Sequence, residues 1–192
     1  KIAVSERIFR ELSDRGSPQG LGALVRIPKR SLDDLTVGPE TFLSVLEEPQ
    51  DPGNIGTAIR TTESGGGSGV ILLGNSADPY DPQAVWASTG ALFAIPVVTN
   101  VSVPDFLTWK ESVGLRLVAT SPDSGRSFRE VSYLRPLALL FGSEPKRLSK
   151  ALLEAADEAV RIPLLGRTNS LNLAAAVAVT VYQVQWDIER SD

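Results

Sequence analysis

Three stretches of this 192-residue chain combine residue types that could do chemistry. The first is Glu48-Pro-Gln-Asp-Pro-Gly-Asn-Ile-Gly-Thr-Ala-Ile-Arg60. Its glycines at 53 and 56 would let a ligand approach the backbone closely. Asn54 offers an amide, and Arg60 a permanent cation near enough to reach back toward the loop. The second is Leu139-Leu-Phe-Gly-Ser-Glu-Pro145, an apolar run that stops at Gly142 and is followed by a hydroxyl and the Glu144 carboxylate. Gly142 suits backbone contact with a flat ligand. The third is Ile162-Pro-Leu-Leu-Gly-Arg-Thr-Asn-Ser-Leu-Asn172, a polar loop that can wrap a base while Ser170 and Asn172 point into a site. Each stretch also has a plain structural reading. The first is then a capped helix with a solvated Arg60, the second an ordinary strand-to-helix loop, and the third a helix N-cap.

Two further stretches carry less. Asp78-Pro-Tyr-Asp-Pro82 holds two carboxylates, but Asp-Pro steps are turn chemistry. The Gly-rich run 65–69 lacks the Gly-Lys-Ser/Thr ending of a phosphate loop and does not form the dinucleotide fingerprint.

Composition narrows the chemistry. The chain has no Cys and no His. That excludes disulfides, thiolate nucleophiles, Ser-His-Asp hydrolysis and His-ligated metals. Net charge is −4, but residues 1–36 carry +2 and the remainder −6. The acidic balance counts against a general nucleic-acid binder, although a local basic surface can still bind RNA. No apolar run reaches membrane-spanning length and no signal peptide is visible, so a cytoplasmic location is expected. The chain starts at Lys1 and contains no Met, so it is expected to be part of a longer protein.

The elements that must position these residues alternate between two periods. Residues 5–13 read as a helix, 17–20 as a turn, Leu21–Ile27 as a strand and 28–40 as a linker. Strands are predicted at Phe42–Leu46, Val70–Leu73, Phe93–Val98, Leu115–Thr120, Leu137–Phe141 and Ala159–Ile162. Helices are predicted at Asn54–Glu63, Pro82–Ser88, Val103–Val113 and Leu148–Ala156. The last helix runs from Leu171 to about Ile188 and is apolar on more than one face, as burial on both sides requires. Such alternation implies an α/β domain with a mostly parallel sheet. Ligands in such sheets bind at the carboxyl ends of the strands, where all three stretches fall.

The order and spacing of the stretches resemble the three signature motifs of the SpoU family of RNA ribose methyltransferases, a branch of the SPOUT superfamily related to TrmH. Asn54, Gly56 and Arg60 resemble its Asn-x-Gly-x-x-x-Arg motif. Gly142 and Glu144 are similar to its Gly-x-Glu motif. Ile162, Pro163, Ser170, Leu171 and Asn172 are similar to its Ile-Pro…Ser-Leu-Asn motif. Asp81-Pro82, Ala87–Ala91, Phe93 and Pro96 also follow the family pattern, and the match covers about 41–190.

The resemblance implies a mostly parallel α/β sheet with a deep trefoil knot near the C-terminus, a rare exception to unknotted topology. It implies S-adenosylmethionine as cofactor, RNA as substrate (ribosomal RNA before transfer RNA), a homodimer, and no metal. The site residues it implies are Asn54, Arg60, Glu144, Ser170 and Asn172 for catalysis. Thr120, Gly142, Ile162, Leu164 and Leu171 are implied for cofactor binding. Arg60 is implied to activate the ribose hydroxyl, and because Arg stays protonated its role is stabilisation of the developing alkoxide.

Residues 1–36 resemble the end of an N-terminal RNA-binding domain of ribosomal-protein type plus a linker, with residues 37–192 as the methyltransferase domain. Two rivals remain on the sequence alone: an inactive RNA-binding SPOUT domain, and an α/β enzyme acting on a small molecule. The chain also departs from the family pattern. Pro-Lys-Arg follows Glu144 where a Gly is common, Trp86 stands where many members have Arg, and Ser64-Gly-Gly-Gly replaces an aromatic-Gly pair.

Overall fold

The computed structural model describes residues 1–13, 20–144 and 146–189. The expected turn at 17–20 falls largely outside them, as does Pro145. A six-stranded, wholly parallel sheet forms the centre, in the order β3-β2-β1-β5-β4-β6. The strands are β1 (Phe42–Glu47), β2 (Gly69–Leu73), β3 (Val97–Val101), β4 (Arg116–Thr120), β5 (Leu137–Gly142) and β6 (Glu158–Val160). The helices are α1 (Glu6–Leu12), α2 (Pro52–Ser64), α3 (Pro82–Ala87), α4 (Val103–Ser112), α5 (Lys150–Ala155) and α6 (Leu173–Glu189). The chain lays β1, β2 and β3 outward in one direction. It then crosses to β4 and returns to insert β5 between β1 and β4. Neighbouring strands β1 and β5 therefore diverge into loops that lead opposite ways, which is where open α/β sheets place their ligands.

Strand alternation supplies two cores. Leu46, Leu139 and Phe141 face one side and pack with Ile55 and Ile59 of α2 and Val177, Val181 and Val184 of α6. Val45, Ala138 and Leu140 face the other and pack with Phe106 and Trp109 of α4 and Leu152 of α5. Burying one such Leu or Ile stabilises by roughly 1.5–3 kcal/mol. Inside the first layer the hydroxyl of Thr62 donates to that of Ser44 at 2.8 Å, so neither buried hydroxyl is orphaned. The buried Tyr133 hydroxyl donates to the Phe128 carbonyl at 2.6 Å, and burial raises its pKa.

Three expectations are corrected. Leu21–Ile27 is not a strand: it runs as extended chain with Leu21, Leu24, Val25 and Ile27 exposed, because no described strand pairs with it. The strand expected from Phe93 starts at Val97. Ala91–Phe93 is instead a short 3-10 turn entered through Gly90 at φ 101°, and Pro96 has no N–H for a ladder. Finally, α6 buries Val177, Val181 and Val184 but leaves Val179, Tyr182 (54%) and Trp186 (65%) exposed, so within one chain only one of its apolar faces is covered.

Candidate active site

The site is built from the loops after β1, β5 and β6. After β1, the Asp51 side chain accepts from the Asn54 N–H at 2.8 Å and caps α2, with Pro52 in the first turn. After β6, the loop runs to Asn172, whose Oδ1 accepts from Ala174 N–H at 3.0 Å and Ala175 N–H at 3.3 Å. Asn172 is thus the N-cap of α6. Its amide nitrogen does a second job: it donates to Asn54 Oδ1 at 2.9 Å and to Glu144 Oε1 at 3.1 Å. The same Glu144 oxygen accepts from the Leu173 N–H at 3.0 Å. Residues from all three stretches thus meet in one network at the start of a helix, where the dipole favours a carboxylate.

Beside this network lies a cavity of about 280 Å³. Thr120, Gly142, Ile162, Leu164 and Leu171 all line it, together with Glu144 and Ser170. A smaller cavity of about 100 Å³ lies on the Asn54 side and shares Ser143, Glu144 and Leu173 with the first.

Arg60 is not brought to either cavity. It is exposed, and among the described residues its side chain makes no hydrogen bond or ion pair. The cause is helical geometry: six residues turn the helix by about 600°, so Asn54 and Arg60 project from different sides of α2. The glycines also have other tasks than ligand approach. A Cβ on Gly56 would strike the Ala84 carbonyl, so Gly56 lets α2 pack on α3. A Cβ on Gly142 would collide with the backbone of Arg147 and Leu148, which crosses directly over the end of β5.

Sequence reasoning missed Asp123, Lys146 and Arg147, which also line the larger cavity. The departure from the family pattern after Glu144 was the available signal for two of them. Lys146 Nζ pairs with Glu48 at 2.7 Å and Arg147 with Asp123 at 2.6 Å. The hydrogen bond and the charge of Lys146 hold the Glu48 carboxyl below its usual range, and Glu48 raises the Lys146 ammonium.

Residues 41–182 match the model of the SpoU rRNA Methylase family. The chain belongs to that family. Among SpoU relatives, a 23S rRNA (uridine(2479)-2'-O)-methyltransferase of Streptomyces viridochromogenes is 35% identical over 95% of this chain and 66% of its own length. A 23S rRNA (guanosine(2553)-2'-O)-methyltransferase of Bacillus subtilis is 30% identical over 95% of this chain and 71% of its own. The SpoU chain therefore spans about two thirds of these relatives. An AdoMet-bound rRNA methyltransferase from Sinorhizobium meliloti superposes with a TM-score of 0.90 at 32% identity, covering 95% of this chain and 70% of that one.

The SpoU cavity has the donor set for S-adenosylmethionine. Ile162, Leu164 and Leu171 offer an apolar slot for a flat base, Thr120 and Ser121 offer hydroxyls, and Glu144 offers a carboxylate for a cationic ligand. Lys146, Arg147 and Asp123 add charge of both signs to the lining, the two cations each engaged by an acid. Among the described residues no helix is long and apolar enough to cross a membrane.

Proposed function

We propose that this SpoU chain is the catalytic module of an S-adenosylmethionine-dependent RNA ribose 2'-O-methyltransferase acting on ribosomal RNA. The observation that carries this is the convergence of Asn54, Glu144 and Asn172 at the rim of a cavity with an apolar slot and both signs of charge. The names of the two 23S rRNA relatives favour ribosomal RNA.

Ile162, Leu164, Leu171, Thr120 and the backbone at Gly142 would hold the cofactor, which supplies the methyl group when bound. Asn172, held by Glu144, fixes the Asn54 amide, and these groups with Ser170 position the ribose. Such alignment can lower a barrier by several kcal/mol, up to about 7–11 in the best cases. The remaining difficulty is the weakly acidic hydroxyl. Arg60 stabilises negative charge as it develops on the ribose oxygen, while an RNA phosphate or water takes the hydroxyl proton. No step in this scheme calls on a metal.

Further parts of the reading rest on single features. A homodimer covers the exposed stripe Val179, Tyr182 and Trp186 of α6 and can present Arg60 of one copy to the cavity of the other. A C-terminal trefoil knot follows from membership of the SpoU family. Residues 1–36, with exposed apolar side chains and basic Arg26, Lys29 and Arg30, act as the end of an RNA-binding module, ahead of a methyltransferase domain at 37–192. The location is cytoplasmic.

Tritium transfer from labelled S-adenosylmethionine to separate rRNA and tRNA pools tests the reading. The expected product is a labelled 2'-O-methyl nucleoside from rRNA. Labelling confined to tRNA would move the substrate class. Cofactor binding without labelling of either pool would favour an inactive RNA-binding domain.

A further inference from the structure

The stretch after Glu144 is unlike the rest of the site because it carries two consecutive cations, Lys146 and Arg147. Both line the cavity. Each is paired with an acid from a different loop. Lys146 reaches Glu48 after β1, ninety-eight residues away in sequence, at 2.7 Å. Arg147 reaches Asp123 after β4 at 2.6 Å. Two more bonds moor the same stretch. The Arg147 N–H donates to the Ser143 carbonyl at 2.8 Å, and the Ser149 N–H donates to the buried Glu47 carboxylate at 2.6 Å.

Arg147 takes a φ of 60°, in the left-handed region that favours Gly. A side chain there costs on the order of 1 kcal/mol in backbone strain. A Gly would remove that cost but would also remove the pair with Asp123. That pair spans the cavity: Asp123 belongs to the wall formed by 120–123, and Arg147 to the wall formed by 146–148. We propose that Arg147 is a positioning residue of the cofactor cavity, acting through its ion pair to Asp123, which braces two walls at a fixed separation, while Lys146 moors the same stretch to Glu48 outside the cavity.

The pairs are solvent-exposed, and one such pair is worth about 0–1 kcal/mol. The fold does not depend on them. The grip on a ligand held between the walls does, because a like-charged pair at the same place pushes the walls apart.

The inference rests on the cofactor reading above, and the test separates the two. Affinity of the full chain for S-adenosylmethionine is measured by calorimetry, with thermal melting in parallel. Asp123→Arg and Arg147→Asp are each expected to weaken binding roughly threefold to tenfold, and the double swap to recover most of the loss. Asp is tolerated at a left-handed position, so the swap does not add strain. Arg147→Gly separates bracing from stability: it is expected to weaken binding with no fall in Tm. Lys150→Glu, which breaks an exposed pair outside the cavity, serves as the control with unchanged affinity. Single reversals that bind as wild type does, a double swap no better than the worse single, or an Arg147→Gly whose binding loss follows a lower Tm would each overturn the brace while the cofactor reading stands. Absence of binding by wild type would overturn both.

Discussion

Asn172 donates one amide group to both Asn54 at 2.9 Å and Glu144 at 3.1 Å, joining residues that lie 118 and 28 positions away. The same residue caps α6 through its carbonyl oxygen. The bridge to Asn54 and Glu144 and the start of α6 therefore share a side chain, and a substitution can separate them. Asn172→Asp keeps a capping oxygen and faces the Glu144 carboxylate with a second negative charge. We expect a Tm within a few degrees of wild type and a fall in methyl transfer of about a hundredfold. Asn172→Ala should lose the cap as well, costing about 1 kcal/mol. Thermal melting beside a transfer assay checks both, and an Asn172→Asp variant of full activity would remove Asn172 from the site.

Gly142 bears a structural demand as well as a place in the cavity wall. The backbone of Arg147 and Leu148 lies where its Cβ would be. Backbone cannot swing aside as a long side chain can. Gly142→Ala is expected to destabilise by more than about 3 kcal/mol or to prevent folding, beyond the range of ordinary surface substitutions. Denaturant unfolding measures it. A Gly142→Ala protein of unchanged stability would show that the crossing relaxes freely.

The sequence exposed the parts of the fold that depend on local pattern. Apolar runs located five strands to within two residues and the third only from its Val97 onward, and the cap candidates Ser170 and Asn172 located the start of α6. What stayed hidden was what depends on partners distant in sequence. Nothing in Leu137–Gly142 announces that it inserts between β1 and β4. The apolar run Leu21–Ile27 reads as a strand because its side chains suit one, yet no described neighbour pairs with it. Gly56 looked like an opening for a ligand, whereas it is a helix-packing contact with α3. Asp123 carries no motif at all, and only the cavity reveals it.

The Glu48–Lys146 pair gives the site a pH dependence with a fixed sign. Glu48 has a pKa held below its ordinary 4.5, chiefly by the hydrogen bond from Lys146. Its contribution is present above that ordinary value and is lost as pH falls through the depressed one. Lys146 is raised above its ordinary 10.5 by the same bond. Its contribution is present below that value and is lost as pH rises through the raised one. The tether is thus whole from about pH 5 to 10 and fails at either extreme. Hydrogen exchange of the 146–149 amides should slow less than the intrinsic rate does as pH falls below that window, an excess over the intrinsic rate. Glu48→Gln should abolish the excess, and an excess that survives in Glu48→Gln would assign it elsewhere.

The exposed stripe on α6 predicts an assembly. Tyr182 and Trp186 lie one turn apart on the face opposite Val177, Val181 and Val184. Placing a charge in a covered apolar patch costs several kcal/mol, but on a free surface it costs almost nothing. Trp186→Glu should therefore turn a dimer into a monomer by light scattering while leaving far-ultraviolet circular dichroism unchanged. A wild type that is already monomeric at high concentration would remove the homodimer from the reading.

Arg60 supplies the sharpest test because it stands apart. It is exposed, lies outside both cavities and makes no pair among the described residues. Removing it should cost the fold little, so Arg60→Ala is expected to melt near wild type and to bind S-adenosylmethionine unchanged. If Arg60 stabilises charge on the ribose oxygen, transfer to RNA should nevertheless fall by about 10²–10³-fold. Arg60→Lys keeps the charge but loses the planar fork of donors, so it should recover only part of that loss. Single-turnover transfer with cofactor and RNA both saturating reads the chemical step directly. Full turnover in Arg60→Lys, with RNA binding also unchanged, would reduce Arg60 to a general cation. Full turnover in Arg60→Ala would return it to a solvated residue on the outer side of α2.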